Sequence, residues 1–498
     1  MKIKRAMYDR TATIIVAASD ATWQSKQGAD LVCTGTDDGA ILTEAENLLP
    51  ADGGSIVLSE GQFNGRFAIT KDNVILMGQG YNSVLRLPDG TDVTAQVLTI
   101  VGNGTYVTNL TVDGNKDNQA APAVPNDYHK CDGIAIYSNY NTIYRVRVVK
   151  PQSHGIIVWS LATDRYADNA ANAYAAAGDR MYNTIKGCHV IENGISGNER
   201  LSIDFASTDE VRYSIASNNI VIAGQYGRGI GFHNATYAVV DSNIIENGMI
   251  DLNGGHDICV SNNLILLDQY SERWVFQIRS GFERATISNN IASTKDGGSS
   301  YTQQFIRTDV ATGCKDIVIS NNVYQGLDQA RNAFWLVRNG TTLENVHITN
   351  NHIILPGTNE RDCMFWANDG TSTIENVVMT GNTVRGYKDL AWLGTSTNFT
   401  ITNLRAEHNI GMDLDNEGTA EILSGNTSID VTHGLNLTPT IHDIFVTLTS
   451  SLGSANNFWI DNIGANTFKI NLDADPLATV GFAWNASMNK INASLSTV

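Results

Sequence analysis

TISNNIAS (286–293), VISNNVYQ (318–325), HITNNHII (347–354) and VMTGNTVR (378–385) repeat one phrase, a short β-branched strand broken by a polar step that ends in Asn. IASNNIVI (215–222), VVDSNIIE (239–246) and CVSNNLIL (259–266) precede them in the same form. The last Asn of each step gives Asn219, Asn243, Asn263, Asn290, Asn322, Asn351 and Asn382, spaced 24, 20, 27, 32, 29 and 31 residues apart; Asn409 follows after 27. Self-similarity at this period, in strands that alternate every second residue, predicts the coils of a parallel β-helix, with loops absorbing the differences in length. A helical solenoid would show long 3.6-residue stripes, and none is present. Asn at the same corner of successive coils can hydrogen-bond to its copies above and below. That gives a structural reason for 51 asparagines in 498 residues.

A second strand series runs in phase with the first: DGIAIYSN (132–139), HGIIVWSL (154–161), ERLSIDFA (199–206), RGIGFHNA (228–235), MIDLNGG (249–255), VFQIRSG (275–281), FIRTDV (305–310), FWLVRNG (334–340) and MFWANDG (364–370). Alternation sends Ile134, Ile136, Ile156, Val158, Leu201, Ile203, Ile230, Phe232, Ile250, Leu252, Phe276 and Ile278 inward and the residues between them outward.

Composition narrows the function classes. Hydrophobic residues make up 42% of the chain and mean hydropathy is -0.15, which excludes a disordered chain; no apolar run reaches the ~20 residues of a membrane helix. A soluble, folded chain is implied. A net charge of -18 argues against a nucleic-acid partner and against an anionic membrane. The six cysteines, Cys33, Cys131, Cys188, Cys259, Cys314 and Cys363, stand singly, so neither a disulfide framework nor a zinc site is expected. The basic start MKIKRAMYDR is followed by only a short, broken apolar stretch, so no secretion signal is expected.

The ends depart from the repeat. Residues 1–30 form a separate N-terminal segment, and DDGAILTEAENLLPADGG (37–54) reads as a short amphipathic helix capping the first coil. The helix of coils spans 31–417. Alternating strands in TAEILSGNTSIDVTHGL (419–435) and NNFWIDNIGANTFKINLDADP then make 418–498 a small antiparallel β module. The fold class is therefore all-β: a right-handed parallel β-helix with a C-terminal antiparallel domain.

Three segments carry a resemblance. IIVAASDATWQSKQGADLVCTGTDDGAILTEAENLLPADGGSIVLSEGQF resembles the opening segment of pectate-lyase-like β-helix proteins, phage tailspikes among them. LTVDGNKDN (110–118) with DGIAIYSNYNTIYRVRVV is similar to coils of mannuronan C5-epimerases, and THGLNLTPT with NNFWIDNIGANTFKINLDADP resembles a module at the C-termini of phage tail proteins. The epimerase match is partial: the positions of that family's catalytic Tyr, Asp and His hold His154, Ile157 and Trp159, and only the later Asp is kept, as Asp204. The resemblance implies a tailspike-type depolymerase that binds and cleaves a polysaccharide, carried on a virion tail or outside the cell, with a C-terminal element that trimerises or adapts. A homotrimer follows from it. The alternatives are a polyuronate C5-epimerase and a non-catalytic carbohydrate-binding tail fibre.

Outward residues of stacked coils form a linear groove suited to a polymer. The row reads Tyr137, Trp159, Asp204, His233, Asn253, Arg279, Arg307 with Asp309, Arg338 and Trp366. Asp204 and His233, at equivalent positions of adjacent coils, are candidates for an acid/base pair, with Tyr137 and His154 as further catalytic candidates. For hydrolysis, two carboxylates would flank the bond, Asp204 with Asp251 or Glu199; for elimination, a His or Tyr takes the proton while arginines stabilise charge. Arg279, Arg307 and Arg338 suit acidic sugars, although each could pair with a neighbouring acid instead. Trp159 and Trp366 could stack on sugar rings or pack under a loop. No metal or cofactor is expected: DGNKDNQ (113–119) and DLDNEG (413–418) hold enough carboxylates for calcium but lack the spaced pattern of a calcium loop and read as turns.

Overall fold

The computed structural model describes residues 12–91, 96–120, 132–160, 179–194, 200–224, 227–267, 274–279, 281–294, 303–309, 313–326, 330–337, 342–355, 363–367, 370–386, 389–393, 397–412, 414–435, 438–488 and 490–496. Two compact units divide the chain, residues 1–307 and 308–498.

The first unit is a parallel β-helix with three short strands in each regular coil. One such coil holds Gly229–Thr236, Val239–Asp241 and Ile244–Glu246. Each strand pairs in parallel with its equivalents in the neighbouring coils. Along one face the register runs Ile134 to Ile156, Ile203, Ile230, Ile250 and Phe276. A second inward row holds Ile136, Val158, Phe205, Phe232, Leu252 and Ile278. All twelve side chains are buried, and the Phe205 and Phe232 rings stack at 4.4 Å. Leu201 departs from the expected inward set. It precedes the strand Ile203–Arg212, and its Cδ1 reaches the space above Gly231 on the opposite face.

The Asn-Asn step is two devices in sequence. Its first residue takes the left-handed conformation that turns the corner, at Asn218, Ser242, Asn262 and Asn289, a conformation that Asn adopts more readily than most residues. The second is a buried ladder rung. The Asn219 backbone N–H and Nδ2 both donate to Asn243 Oδ1, at 3.0 and 2.9 Å, and Asn243 repeats this onto Asn263, and Asn263 onto Asn290. Each Nδ2 also donates to a carbonyl of an earlier coil, as from Asn243 to Ala216 at 3.0 Å.

At the start of this unit Thr13–Ala17 pairs in parallel with Gly54–Leu58. The expected helix is Asp38–Asn47, and a further short helix, Trp23–Gly28, precedes it.

The second unit carries a ladder of the same kind through Asn322, Asn351, Asn382 and Asn409. Its long strands Cys314–Ser320, Thr342–Thr349, Gly370–Thr380 and Thr397–Glu407 stack in parallel. Two three-stranded antiparallel sheets follow, Asp415–Ile422 and Ile444–Leu448 on Val480–Ser487, and Ser428–Thr432 and Phe458–Asp461 on Thr467–Leu472. The last strand, Lys490–Ser496, returns to pair antiparallel with Thr397–Glu407, giving that coil strand a partner on its further side.

Candidate functional site

The outward face of the strands Ile134–Ile136, Ile156–Ser160, Ile203–Arg212, Gly229–Thr236, Met249–Ser261 and Trp274–Arg279 carries two adjacent columns. One holds Ala135, Ile157, Asp204, Gly231, Asp251 and Gln277. The other holds Trp159, Ala206, His233, Asn253 and Arg279. The register therefore corrects the single row expected from the sequence: Asp204 lies opposite Gly231, and His233 lies opposite Ala206. The two residues share a face but sit on a diagonal, two positions apart.

Two Asp–His arrangements converge on Asp204. In the first, Asp132 Oδ1 accepts from the His154 backbone N–H at 3.0 Å and lies 2.9 Å from His154 Nδ1, while His154 Nε2 lies 3.4 Å from Asp204 Oδ2. In the second, His233 Nε2 lies 3.6 Å from Asp251 Oδ2, and Arg279 closes on Asp251 as a fork, Nε donating to Oδ1 at 3.1 Å and Nη2 to Oδ2. Asp132, His154, Asp204 and Asp251 are buried, whereas the His233 and Arg279 side chains are 24% and 29% exposed and form the open side of the cluster.

The electrostatics are mutually consistent. Three carboxylates against one guanidinium leave two negative charges, which protonation of both imidazoles cancels. Burial disfavours the charged form of His154, but the hydrogen bond and charge of Asp132, then those of Asp204, outweigh it and raise its pKa above the ordinary 6.5. His233 is raised in the same way, burial being outweighed by the charges of Asp204 and Asp251. Burial opposes ionisation of Asp251, yet His233 and Arg279 together hold its carboxyl below the usual carboxylate range.

Among the described residues, Asp204 Oδ1 and His233 Nε2 are both buried without a hydrogen-bond partner, the 3.6 Å separation from Asp251 being too long for one. An unsatisfied acceptor and an unsatisfied donor in one buried polar cluster are costly to maintain, and they are what a proton-transfer site requires.

The remaining expected residues take other places. Tyr137 is buried against Ala135, Ile157 and Trp159, and its hydroxyl accepts from Gln96 Nε2 at 3.1 Å; burial, then the charge of Asp132, pushes its pKa up. Trp159 thus packs within this apolar cluster, and its carbonyl accepts from Arg180 Nε at 2.9 Å. The Arg279 fork is occupied by Asp251. Arg307 lies over the Trp274 ring, 4.0 Å from its centroid. Arg338, Glu199 and the side chains of Asp309 and Trp366 lie outside the described residues. Asp113 of the DGN turn accepts from the Asn115 backbone N–H at 2.8 Å. Asp132 is the residue that sequence reasoning missed. Its signal was an Asp-Gly pair one coil before a His-Gly pair.

No family model matches the chain, and no curated protein matches it. Solved structures with a similar fold include the tailspike protein gp49 from Pseudomonas phage LKA1, at a TM-score of 0.53 and 11% identity, covering 91% of this chain and 92% of that one. The Agl-KA catalytic domain is similar at a TM-score of 0.52 and 15% identity over 74% of this chain and 66% of that one, just under two thirds of its length. The catalytic domain of a GH87 alpha-1,3-glucanase in complex with tetrasaccharides is similar at a TM-score of 0.51 and 13% identity, covering 82% and 71%. These likenesses place the chain among pectate-lyase-like parallel β-helix folds.

Proposed function

We propose that the chain is a tailspike-like polysaccharide depolymerase that cleaves by hydrolysis. The observation that carries this reading is the pair of unsatisfied buried atoms, Asp204 Oδ1 and His233 Nε2, on the outward face of adjacent coils. A protonated His233 hands its proton to the glycosidic oxygen as the bond breaks. Asp204 Oδ1 takes a proton from the water that attacks the anomeric carbon, so one water is consumed, and passing that proton from Asp204 back to His233 through solvent returns both groups to their starting charge. Asp251 and Arg279 position His233, and Asp132 and His154 position Asp204. Asp251 is a poor second proton carrier because Arg279 holds both its oxygens.

Elimination is less well served. It needs a cation at the sugar carboxylate, and the Arg279 fork that would supply it is closed on Asp251. In the first unit Arg307 is the residue proposed to meet an acidic sugar, with Trp159, Tyr137 and His154 supporting the site from behind; Asp309, Arg338 and Trp366 are binding residues proposed separately for the second unit. We place the chain on a virion tail or outside the cell, as a homotrimer assembled through residues 418–498.

The test is incubation of the full chain with alginate, polygalacturonate, hyaluronan, dextran and xylan, following reducing ends and the ultraviolet absorbance of unsaturated products. New reducing ends without that absorbance are expected, with a loss of roughly 10²–10⁴-fold in Asp204→Asn and His233→Gln. Unsaturated product would overturn hydrolysis, and no new ends on any glycan would sink the depolymerase reading.

A further inference from the structure

Four tyrosines stack along the outside of the first unit. Tyr140, Tyr182, Tyr213 and Tyr237 have ring centroids 5.0, 4.9 and 5.1 Å apart and planes within 8–11° of parallel. They remain 57%, 45%, 41% and 50% exposed. Each turns a corner with positive φ, 63°, 57°, 52° and 55°. A bulky aromatic is an uncommon occupant of this conformation and strains the backbone there.

The same corner of other coils holds other residues, mostly ones that fit it freely, with Arg284 at φ 50° in the coil after Asp257. Asn73 and Gly104 precede the tyrosines at φ 56° and 67°, and Asp257 follows at 59°. The backbone hydrogen bonds put these residues in one column: Asn73 N–H donates to the Asn103 carbonyl, Gly104 N–H to Asn139, Tyr140 N–H to Met181, Tyr182 N–H to Arg212, Tyr213 N–H to Thr236, and Tyr237 N–H to His256. The fold therefore does not require tyrosine at this corner. Tyrosine appears in the coils that carry His154, Asp204 and His233 and in the coil before them, and in these coils the corner follows the strand of the candidate site. Tyr237 lies four residues beyond His233, about 13 Å along an extended strand.

Mutual stacking buries the ring faces and turns the phenol edges outward. Gly104, in the coil before Tyr140, sends no side chain onto the outer face of that ring. A row of phenol groups combines apolar edge with a hydroxyl that both donates and accepts, which suits the mixed surface of a sugar. Its repeat is close to the advance per ring along an extended pyranose chain.

We propose that Tyr140, Tyr182, Tyr213 and Tyr237 form a glycan-contacting track beside the active site, holding an extended polysaccharide parallel to the axis of the coils. This rests on the depolymerase reading for its ligand. Neutral rings carry no charge preference, so the track grips the chain and leaves sugar selection to the cluster at Asp204.

The test uses the full chain with Asp204→Asn, which binds without turnover, and the same five polysaccharides, with and without Tyr140→Asn, Tyr182→Asn, Tyr213→Asn and Tyr237→Asn. Asn is what this corner accepts elsewhere, so the variants should fold; Tyr182→Asn with Tyr213→Asn alone is the fallback, and melting curves check both. The expected result is a Kd about tenfold weaker, the scale of a few lost hydrogen bonds, with KM raised and kcat retained when the same tyrosine changes are made in the unsubstituted chain. Unchanged binding with cleavage intact overturns the track and leaves the depolymerase standing. Binding that weakens in the variants of a chain that cleaves nothing supports the track and sinks the depolymerase. A chain that binds none of the polysaccharides overturns both, and a change of oligomeric state without a change in binding overturns the track in favour of an interface between copies.

Discussion

His154 bridges Asp132 and Asp204, its Nδ1 2.9 Å from one carboxylate and its Nε2 3.4 Å from the other, so the orientation of Asp204 depends on a residue one coil away. Asp132→Asn keeps a hydrogen-bonding group of the same shape and removes the charge. The His154 pKa should fall back toward 6.5, and kcat should drop roughly a hundredfold, the low end of what acid/base groups contribute, with KM nearly unchanged. Imidazole NMR titration with steady-state kinetics checks both. Asp132→Ala leaves a buried imidazolium short of its main partner and should cost about 3–5 kcal/mol of stability.

The raised histidines fix the direction of the pH response. His154 and His233 titrate above 6.5 in the folded chain, so their contribution to stability is complete below about 6.5 and is lost as pH rises through the folded values. Asp251 acts oppositely: its contribution is present above 3.8 and is lost as pH falls through its depressed value. Melting temperature should decline on the alkaline side, and activity, which needs the His233 proton, should decline over the same range. A melting temperature that stays level there, or His233→Gln melting with the parent's pH dependence, would count against the assignment.

The coils and the Asn ladder were legible in the sequence because each rung repeats both a corner and a strand, as in SNN before Ile220, Leu264 and Ile291. The outward identity of Asp204 and His233 was legible too, since alternation assigns a residue to a face. Alternation cannot say which of two outward positions lies across from a given neighbour. That depends on coil length, and it is why alternation alone sets Asp204 opposite His233 although Gly231 stands there. Asp132 reads as a turn residue until His154 is brought beside it, and Arg279 reads as a free cation until Asp251 closes its fork. The tyrosine corner was visible only as Tyr-Asn in YNTIY and YNTIK, a pattern that acquires meaning once stacking puts the rings together.

Neighbouring asparagines should respond unequally to substitution. Asn243→Ala removes the acceptor for the Asn219 N–H and Nδ2 and the donor to the Ala216 carbonyl and Asn263 Oδ1, so four buried hydrogen bonds are lost, although Asn219 Nδ2 keeps the Ile185 carbonyl. At a net of about 0.5–1.5 kcal/mol for each bond, a loss of roughly 2–6 kcal/mol is expected. Asn218→Gly changes an exposed corner residue at φ 55° to one that adopts this conformation without strain, and should stay within about 0.5 kcal/mol of the parent. Chemical denaturation of the two variants distinguishes rung from corner. Equal losses would mean that the ladder bonds are not what holds the coils.

Gly231 separates Asp204 from Asp251 in their column, and its missing side chain decides how Asp204 is seated. A Cβ at Gly231 would stand 2.2 Å from Leu201 Cδ1 and 3.1 Å from Asp204 Oδ1. The nearer atom ends a flexible side chain, so the backbone can survive Gly231→Ala at an overpacking cost of about 1–3 kcal/mol. The displaced Leu201 and the crowded Asp204 Oδ1 should lower kcat by far more than that loss of stability would suggest. Leu201→Ala alone should be milder in kcat, and the double variant should recover much of the lost activity because it removes the closest contact. A double-mutant cycle in kcat and in unfolding free energy reads the coupling directly. If the double variant is as inactive as Gly231→Ala alone, steric pressure from Leu201 is not what disturbs Asp204, and the 3.1 Å approach to Oδ1 is the damaging contact.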